Sequence, residues 1–342
     1  MVPPLKKAEL NDRYINIARS LVDFMDGYFN IEYYGLENIP IGSRFVWTHN
    51  HSGWPSLDAV VIGKKIGEAN QQHTGTFDPG LAFWHDLVTK LPVVGEIVKG
   101  FGGISIKDLE HYNHWQEHQI FVTPAEGEAG NFKSSFKSRY KLAPFRSGIG
   151  RIACLGQVKF LLPVSIMGPE ESFPNLGTIR IPFKKMTEVV NQVPALRTLS
   201  KKWSKKYSKD FLIPVLLPIQ GIPISWYVHF HKPIDISFLT KKADTNTYQR
   251  DLYQEISKLA RTKIEADLNM RNLLRTPFRL KVPSWNSQVN PVIFNGLGKI
   301  LDGIEDRTVP KFNLNQWAYG NAGQKDYSDN LIHLKDFRRK TG

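Results

Sequence analysis

Three short runs set the fold class: SRFVWT (43–48), IFVT (120–123) and KFLLPVSIMG (159–168). Their cores are consecutive apolar residues, without the alternation of a strand that has one face in water. A strand apolar on both sides must be covered on both sides, which is the condition of a mostly parallel sheet flanked by helices. The intervening segments supply those helices. Residues 10–29 place Tyr14, Ile17, Leu21, Phe24 and Met25 at helical spacing, and 248–268 line up Leu252, Ile256, Leu259, Ala260, Ile264 and Leu268. FRSGIGRIACLG (145–156) reads as a third helix whose glycines permit close packing, and WYVHFH (226–231) alternates as a strand. The 342 residues, 41% of them hydrophobic, suffice for one large α/β core. No internal repeat or linker is evident. The expected partition is a helix and lead-in strand over 1–40, a catalytic domain over 41–280 and an irregular extension over 281–342.

Charge narrows the partners. The net charge of +13 calls for an anionic one. Nucleic acid finds no support, because zinc-finger cysteine spacing, RNP-like sequence and a basic heptad helix are all missing from the chain. The charge concentrates instead in LRTLSKKWSKKYSKD (196–210), where Lys201, Lys202, Lys205 and Lys206 interleave with Trp203 and Tyr207. Lysines beside aromatic rings suit the headgroup layer of an anionic membrane, although a solvated helix face has the same composition. The next twenty residues, 211–230, carry no formal charge. Pro214, Pro218, Pro223 and Gly221 argue against a spanning helix, so an irregular apolar loop feeding a strand is expected. Residues 196–225 then form a membrane-docking edge, and the expected location is cytoplasmic, peripheral to the membrane. MVPPLKKAELNDRY has no apolar stretch of the secretory kind. The single cysteine, Cys154, sits in an apolar setting that favours an inert buried thiol.

WTHNHSGWPSLDAV (47–60) is the segment with chemistry in it. His49 and His51 stand at the end of a strand, and Asp58 follows His51 by seven positions. In one straight helix those two would be about 10.5 Å apart along the axis. Gly53 and Pro55 break such a helix, so the loop can curl and turn Asp58 back towards His51. A carboxylate on one imidazole nitrogen fixes the tautomer and leaves the other nitrogen to accept a proton. The HxH pairs His49/His51 and His229/His231 also have metal-ligand spacing, but nothing nearby in sequence supplies further ligands. His229 and His231 then read as partly exposed strand residues, and the expectation is no metal and no cofactor.

Four ordered blocks, NHSGWPSLDA (50–59), GGISIK (102–107), TPAEGEAG (123–130) and LLPVSIMGPEESFP (161–174), resemble the glycerolipid acyltransferase family, which includes the lysophosphatidate acyltransferases. The resemblance spans roughly residues 30–275 and departs from the commonest pattern in three places. Six residues separate His51 from Asp58 instead of four, Pro124 precedes Ala125-Glu126-Gly127 by one place, and Lys107 stands where arginine is common.

The resemblance implies a glycerolipid acyltransferase-like fold and transfer of a fatty acyl group from acyl-CoA or acyl-carrier protein to a hydroxyl of a glycerolipid or lysophospholipid. His51 would be the general base, Asp58 its orienter, and no acyl-enzyme would form. Gly103, Lys107, Glu126 and Gly127 would line the acceptor site, with Arg139 a further anion contact. Glu170 and Glu171 suit a cap or turn about as well as a functional role. Two rival readings are a catalytically silent lipid-binding protein on the same fold and a metal-dependent hydrolase using the HxH pairs.

Overall fold

The computed structural model describes residues 9–84, 89, 94–182, 211–243 and 249–274. The membrane-docking residues Lys201, Lys202, Trp203, Lys205, Lys206 and Tyr207 lie outside them, as does the whole 281–342 extension.

An eight-stranded sheet organises the chain. In order of sequence its strands are β1 (Glu32–Tyr34), β2 (Phe45–His49), β3 (Leu81–Trp84), β4 (Gly103–Ser105), β5 (Ile120–Val122), β6 (Phe160–Met167), β9 (Tyr227–Phe230) and β10 (Ile234–Asp235). Their spatial order is β1-β9-β6-β2-β5-β3-β4, with β10 beside β6. β6, β2, β5, β3 and β4 run parallel, whereas β9 pairs antiparallel with β6 and carries β1 along with it. The sheet is therefore mostly parallel, with its reversed strands at one side.

Helices cover both faces, as continuous apolar strands require. On one face α1 (Asp12–Phe29) and α2 (Leu57–Thr74) pack over Phe45, Trp47, Leu162 and Val164. On the other, α5 (Gly148–Leu155) and a long helix, labelled α8 here (Arg250–Leu274), cover Val46, Phe121 and Leu161. Short helices α3 (Val94–Gly100), α4 (Glu128–Asn131), α6 (Pro169–Ser172) and α7 (Ser237–Lys242) lie in the connections. α5 and α8 cross so closely that a Cβ on Gly150 would stand 2.2 Å from the Tyr253 carbonyl oxygen. The glycine in GIGRIACLG is thus a contact surface between two helices.

Two local expectations need correction. α1 buries Ile15, Val22, Met25 and Phe29, while Ile17, Leu21 and Phe24 are exposed. Apolar residues flank more than one side of this helix, so period alone does not choose a face. Its rotation sends Val22, Met25 and Phe29 into the core and brings Asp23 and Asp26 to Lys64 of α2. Residues 211–216 are not loop but strand β8 (Phe211–Leu216), paired antiparallel with β7 (Asn175–Ile181) in a separate two-stranded sheet. A two-stranded ribbon leaves one edge of each strand unpaired, which tolerates Pro214. Among the described residues no helix is long and apolar enough to cross a membrane.

Candidate active site

β2, β5 and β6 are neighbours and run parallel, so the loops leaving their C-terminal ends meet. In open α/β sheets this is where ligands bind. The loop after β2 carries His51, that after β5 carries Glu126, and that after β6 carries Glu170.

Asn50 starts the first loop by extending the sheet with its side chain. Its Nδ2 donates to the Ile166 carbonyl and its Oδ1 accepts from the Ile166 N–H, both at 2.9 Å. The chain then turns at Gly53 and Ser56, both with positive φ, and α2 begins at Leu57. This curl puts Asp58 in the first turn of α2, pointing back at the loop. Asp58 Oδ2 lies 3.2 Å from His51 Nδ1 and accepts from the Ser52 N–H at 2.9 Å. Oδ1 accepts from the Ala59 N–H at 2.8 Å. Burial works to raise the Asp58 pKa, but the neighbouring His51 and His49 rings and their contacts more than offset it. The carboxyl is held far below its ordinary value. It is an anion at any working pH, able to fix one imidazole nitrogen and to stabilise the imidazolium.

His49 shares the carboxylate, with Nε2 3.6 Å from Asp58 Oδ2. Fully buried, it is pushed down in pKa chiefly by desolvation and stays neutral. Neither ring nitrogen of His49 makes a hydrogen bond. His49 therefore packs against the pair, while His51 remains at the rim with 7% of its surface exposed.

Glu126 is placed differently from the expectation. It is fully buried and its two oxygens serve backbone donors: Oε1 accepts from the His51 N–H at 3.0 Å and Oε2 from the Ala143 N–H at 2.6 Å. A side chain so engaged holds the His51 loop and does not line a substrate surface. Gly130 makes this possible, since a Cβ there would stand 2.5 Å from Glu126 Cβ and 2.9 Å from His51 Cβ. Gly127, with φ of 58°, supplies the left-handed turn into α4.

Lys133 completes this layer. Its ammonium is 2.8 Å from Glu170 Oε1 and 3.8 Å from Glu126 Oε2, and its side chain is only 6% exposed. Burial raises the pKa of both carboxylates, and Lys133 partly restrains that rise. For Lys133 itself, desolvation is outweighed by Glu170 and Glu126, so its pKa is raised and it stays charged. Glu170 Oε2 also accepts from the Tyr140 N–H at 3.0 Å, and the Tyr140 hydroxyl bonds to Glu171. Glu170 and Glu171, for which a cap or turn role and a functional one stood open, lie in the first turn of α6 and are buried members of the same network. Beside it opens a groove of about 610 Å³, lined in part by Phe132, Lys133, Lys137, Leu176 and Val215.

The remaining expected site residues are more distant. Gly103 and Lys107 belong to β4 and the turn after it, at the far edge of the sheet, three strands from β2. At about 4.8 Å per strand that separation is about 14 Å. Gly103 answers a packing need, for a Cβ there would meet Val98 Cγ1 at 2.4 Å. Lys107 is exposed at the same end of the sheet as His51. Arg139 lies over the Tyr140 ring, 5.8 Å from its centroid, next to the residue that binds Glu170 and Glu171. Cys154 is buried and its thiol is pushed up to about 11 by desolvation.

Lys133 and Asn50 are the functional residues that the sequence reading missed. Asn50 was adjacent to His51 in NHSG, and a side chain able to imitate a peptide group just past a strand end was the available signal. Lys133, in NFKSSFKSRY, is indistinguishable in sequence from the solvated lysines around it.

Among the described residues, two groups of side chains have donor atoms close enough to hold a metal ion. One is His49, His51 and Asp58, and the other is His229, His231 and Asp267, each set lying within 4.8 Å. In the first, Asp58 is already tied by two N–H donors and His51.

No protein-family model matches the chain. Uncharacterized proteins of Mycobacterium leprae and Mycobacterium bovis are similar to it. The first is 25% identical over 72% of this chain and 61% of its own length. The second is 24% identical over 64% of this chain and 56% of its own. The chain thus spans about three fifths of the length of the curated relatives it matches. Among solved structures, the 1-acyl-sn-glycerophosphate (LPA) acyltransferase PlsC from Thermotoga maritima aligns with a TM-score of 0.43 and 15% identity, over 76% of this chain and 79% of that one.

Proposed function

We propose that this chain is an O-acyltransferase that moves a fatty acyl group from a thioester, acyl-CoA or acyl-carrier protein, to the hydroxyl of a glycerolipid or lysophospholipid. One observation carries the reading: a buried Asp58 carboxylate, its pKa held low by the neighbouring imidazoles, lies 3.2 Å from Nδ1 of His51 at the C-terminal rim of a parallel sheet. The ordered blocks around residues 50–59, 102–107, 123–130 and 161–174 support the choice of acyl transfer over other base-catalysed reactions.

In the proposed reaction, Nε2 of His51 takes the acceptor hydroxyl proton as the oxygen attacks the thioester carbonyl carbon. The C–S bond breaks, the thiolate leaves, and the proton on His51 passes to it. The products are an ester and a free thiol, with His51 neutral again. Asp58 keeps the Nδ1–H tautomer and stabilises the transient imidazolium. Glu126 holds the His51 backbone N–H, and Lys133 pairs Glu126 with Glu170. Contact with an anionic membrane through Lys201, Lys202, Trp203, Lys205, Lys206 and Tyr207 remains part of the proposal, to deliver a lipid acceptor.

The test is thiol release from acyl-CoA and acyl-carrier protein across a panel of lysolipid, diacylglycerol and alcohol acceptors, with lipid products identified. Acceptor-dependent release that survives chelators is expected, whereas thioester hydrolysis abolished by chelators favours the metal-hydrolase alternative. Asp58→Asn is expected to lower turnover by about 10²-fold or more. An amide can donate its own N–H to Nδ1 and trap the wrong tautomer. Turnover close to wild type in a folded Asp58→Asn protein would remove Asp58 from the mechanism.

A further inference from the structure

β9 and α8 build a second polar cluster on the opposite face of the sheet from His51 and Asp58. Val228 and Phe230 point into the layer with α1 and α2, so Tyr227 and His229, at alternate positions, face α8. His231, expected as a partly exposed strand residue, is buried at 8% exposure. The third donor that the His229/His231 pair lacked in local sequence arrives from α8 as Asp267. His229 Nδ1 is 3.2 Å from Asp267 Oδ1, and His231 Nε2 is 3.8 Å from Asp267 Oδ2. The two imidazole rings lie 4.2 Å apart, centroid to centroid.

A second observation concerns the carboxylate itself. Asp267 is 5% exposed, yet its Oδ2 has no hydrogen-bond partner. A buried carboxylate oxygen left without a partner is costly. Oδ1 is engaged by His229 and by Arg271 Nε at 3.2 Å, and the Arg271 guanidinium is held over the Tyr227 ring at 3.5 Å. Arg271 thus holds the carboxylate through Oδ1 and leaves Oδ2 on the His231 side, the arrangement of a supporting residue behind a metal ligand. Ser165 Oγ, 2.7 Å from His231 Nε2, is a neutral oxygen in the same place.

From these the geometry points to a binding site for a divalent cation of the zinc class, with His229, His231 and Asp267 as ligands and a fourth position for water or the Ser165 hydroxyl. Donors about 2.0–2.1 Å from a tetrahedral zinc stand about 3.3 Å from one another. One donor atom from each of the three residues already lies within 4.8 Å of the other two, so a small inward rotation of these side chains closes the set. Two imidazoles and a carboxylate select zinc and its first-row neighbours over magnesium or calcium. His229 is 27% exposed on its side chain and gives the ion a way in. The ion would tie α8 to β9, independently of the transfer reaction proposed above.

The experiment uses the full chain, stripped with chelator and titrated with Zn²⁺ against a chromophoric competitor. Co²⁺ loading, read by the visible absorption of a four-coordinate ion, gives an independent signal. One equivalent is expected to bind. Asp267→Asn and His231→Gln should weaken it by more than about 100-fold, since loss of outer partners alone costs about 10–100-fold. Asp58→Asn should bind as the parent does. If Asp267→Asn does not fold, the partly exposed His229→Gln carries the same expectation. No binding to the parent chain overturns the inference. So does binding unchanged by the substitutions at 229, 231 and 267, and so does binding lost in Asp58→Asn instead.

Discussion

Lys133→Met is expected to destabilise the protein by about 3–5 kcal/mol at neutral pH, because it strands two buried carboxylates without their cation. The loss should depend on pH in a definite direction. Glu126 and Glu170 have folded-state pKa values raised above the ordinary 4.5 by burial. Between 4.5 and those raised values the folded protein holds more protons than the unfolded chain, so their contribution to stability falls as pH rises through that window. Removing Lys133 raises both pKa values further and widens the window. Lys133 in the parent chain stays charged across it, since its own pKa is raised, and its contribution is lost only above the ordinary lysine value of 10.5. Urea denaturation of parent and variant at pH 5 and pH 8 checks this, with the larger difference expected at pH 8. Equal differences at both pH values would show that Glu126 and Glu170 do not depend on Lys133.

Removing the imidazole in His51→Ala is expected to lower acceptor-dependent transfer by about 10²–10⁴-fold, the usual weight of a positioned general base. Stability should change much less. The backbone N–H of residue 51 still donates to Glu126, and Asp58 still accepts from the N–H groups of residues 52 and 59. The variant therefore separates chemistry from folding: a normal unfolding transition with residual thiol release is the expected pair of results. His49, whose ring also lies 3.6 Å from Asp58, is too buried to meet a substrate. Rescue of the variant by His49 would show as a small loss only.

The sheet was legible because its central strands are apolar on both faces, a pattern with few other solutions. His51 and Asp58 were legible because one short loop joins them, and Gly53 with Pro55 allowed that loop to curl. What was not legible depends on distant segments meeting. Lys133 gains meaning only from Glu126 and Glu170, and the histidines at 229 and 231 only from Asp267 on α8. The buried face of α1 was not legible from period alone, because Ile17, Leu21 and Phe24 give a second apolar side that stays exposed while Val22, Met25 and Phe29 enter the core. Glu126 shows the converse. Its block was recognisable, but burial and two backbone partners make it a support for His51.

The most direct test of the central claim follows the acyl group itself. Parent protein is given a thioester with a labelled acyl chain and a lysolipid acceptor, and is quenched within one turnover. The account predicts label in a lipid ester, one free thiol per ester, no label covalently bound to protein, and ester from His51→Ala lower by about 10²-fold or more. Label accumulating on the protein, or thiol release that does not require the acceptor, would contradict it.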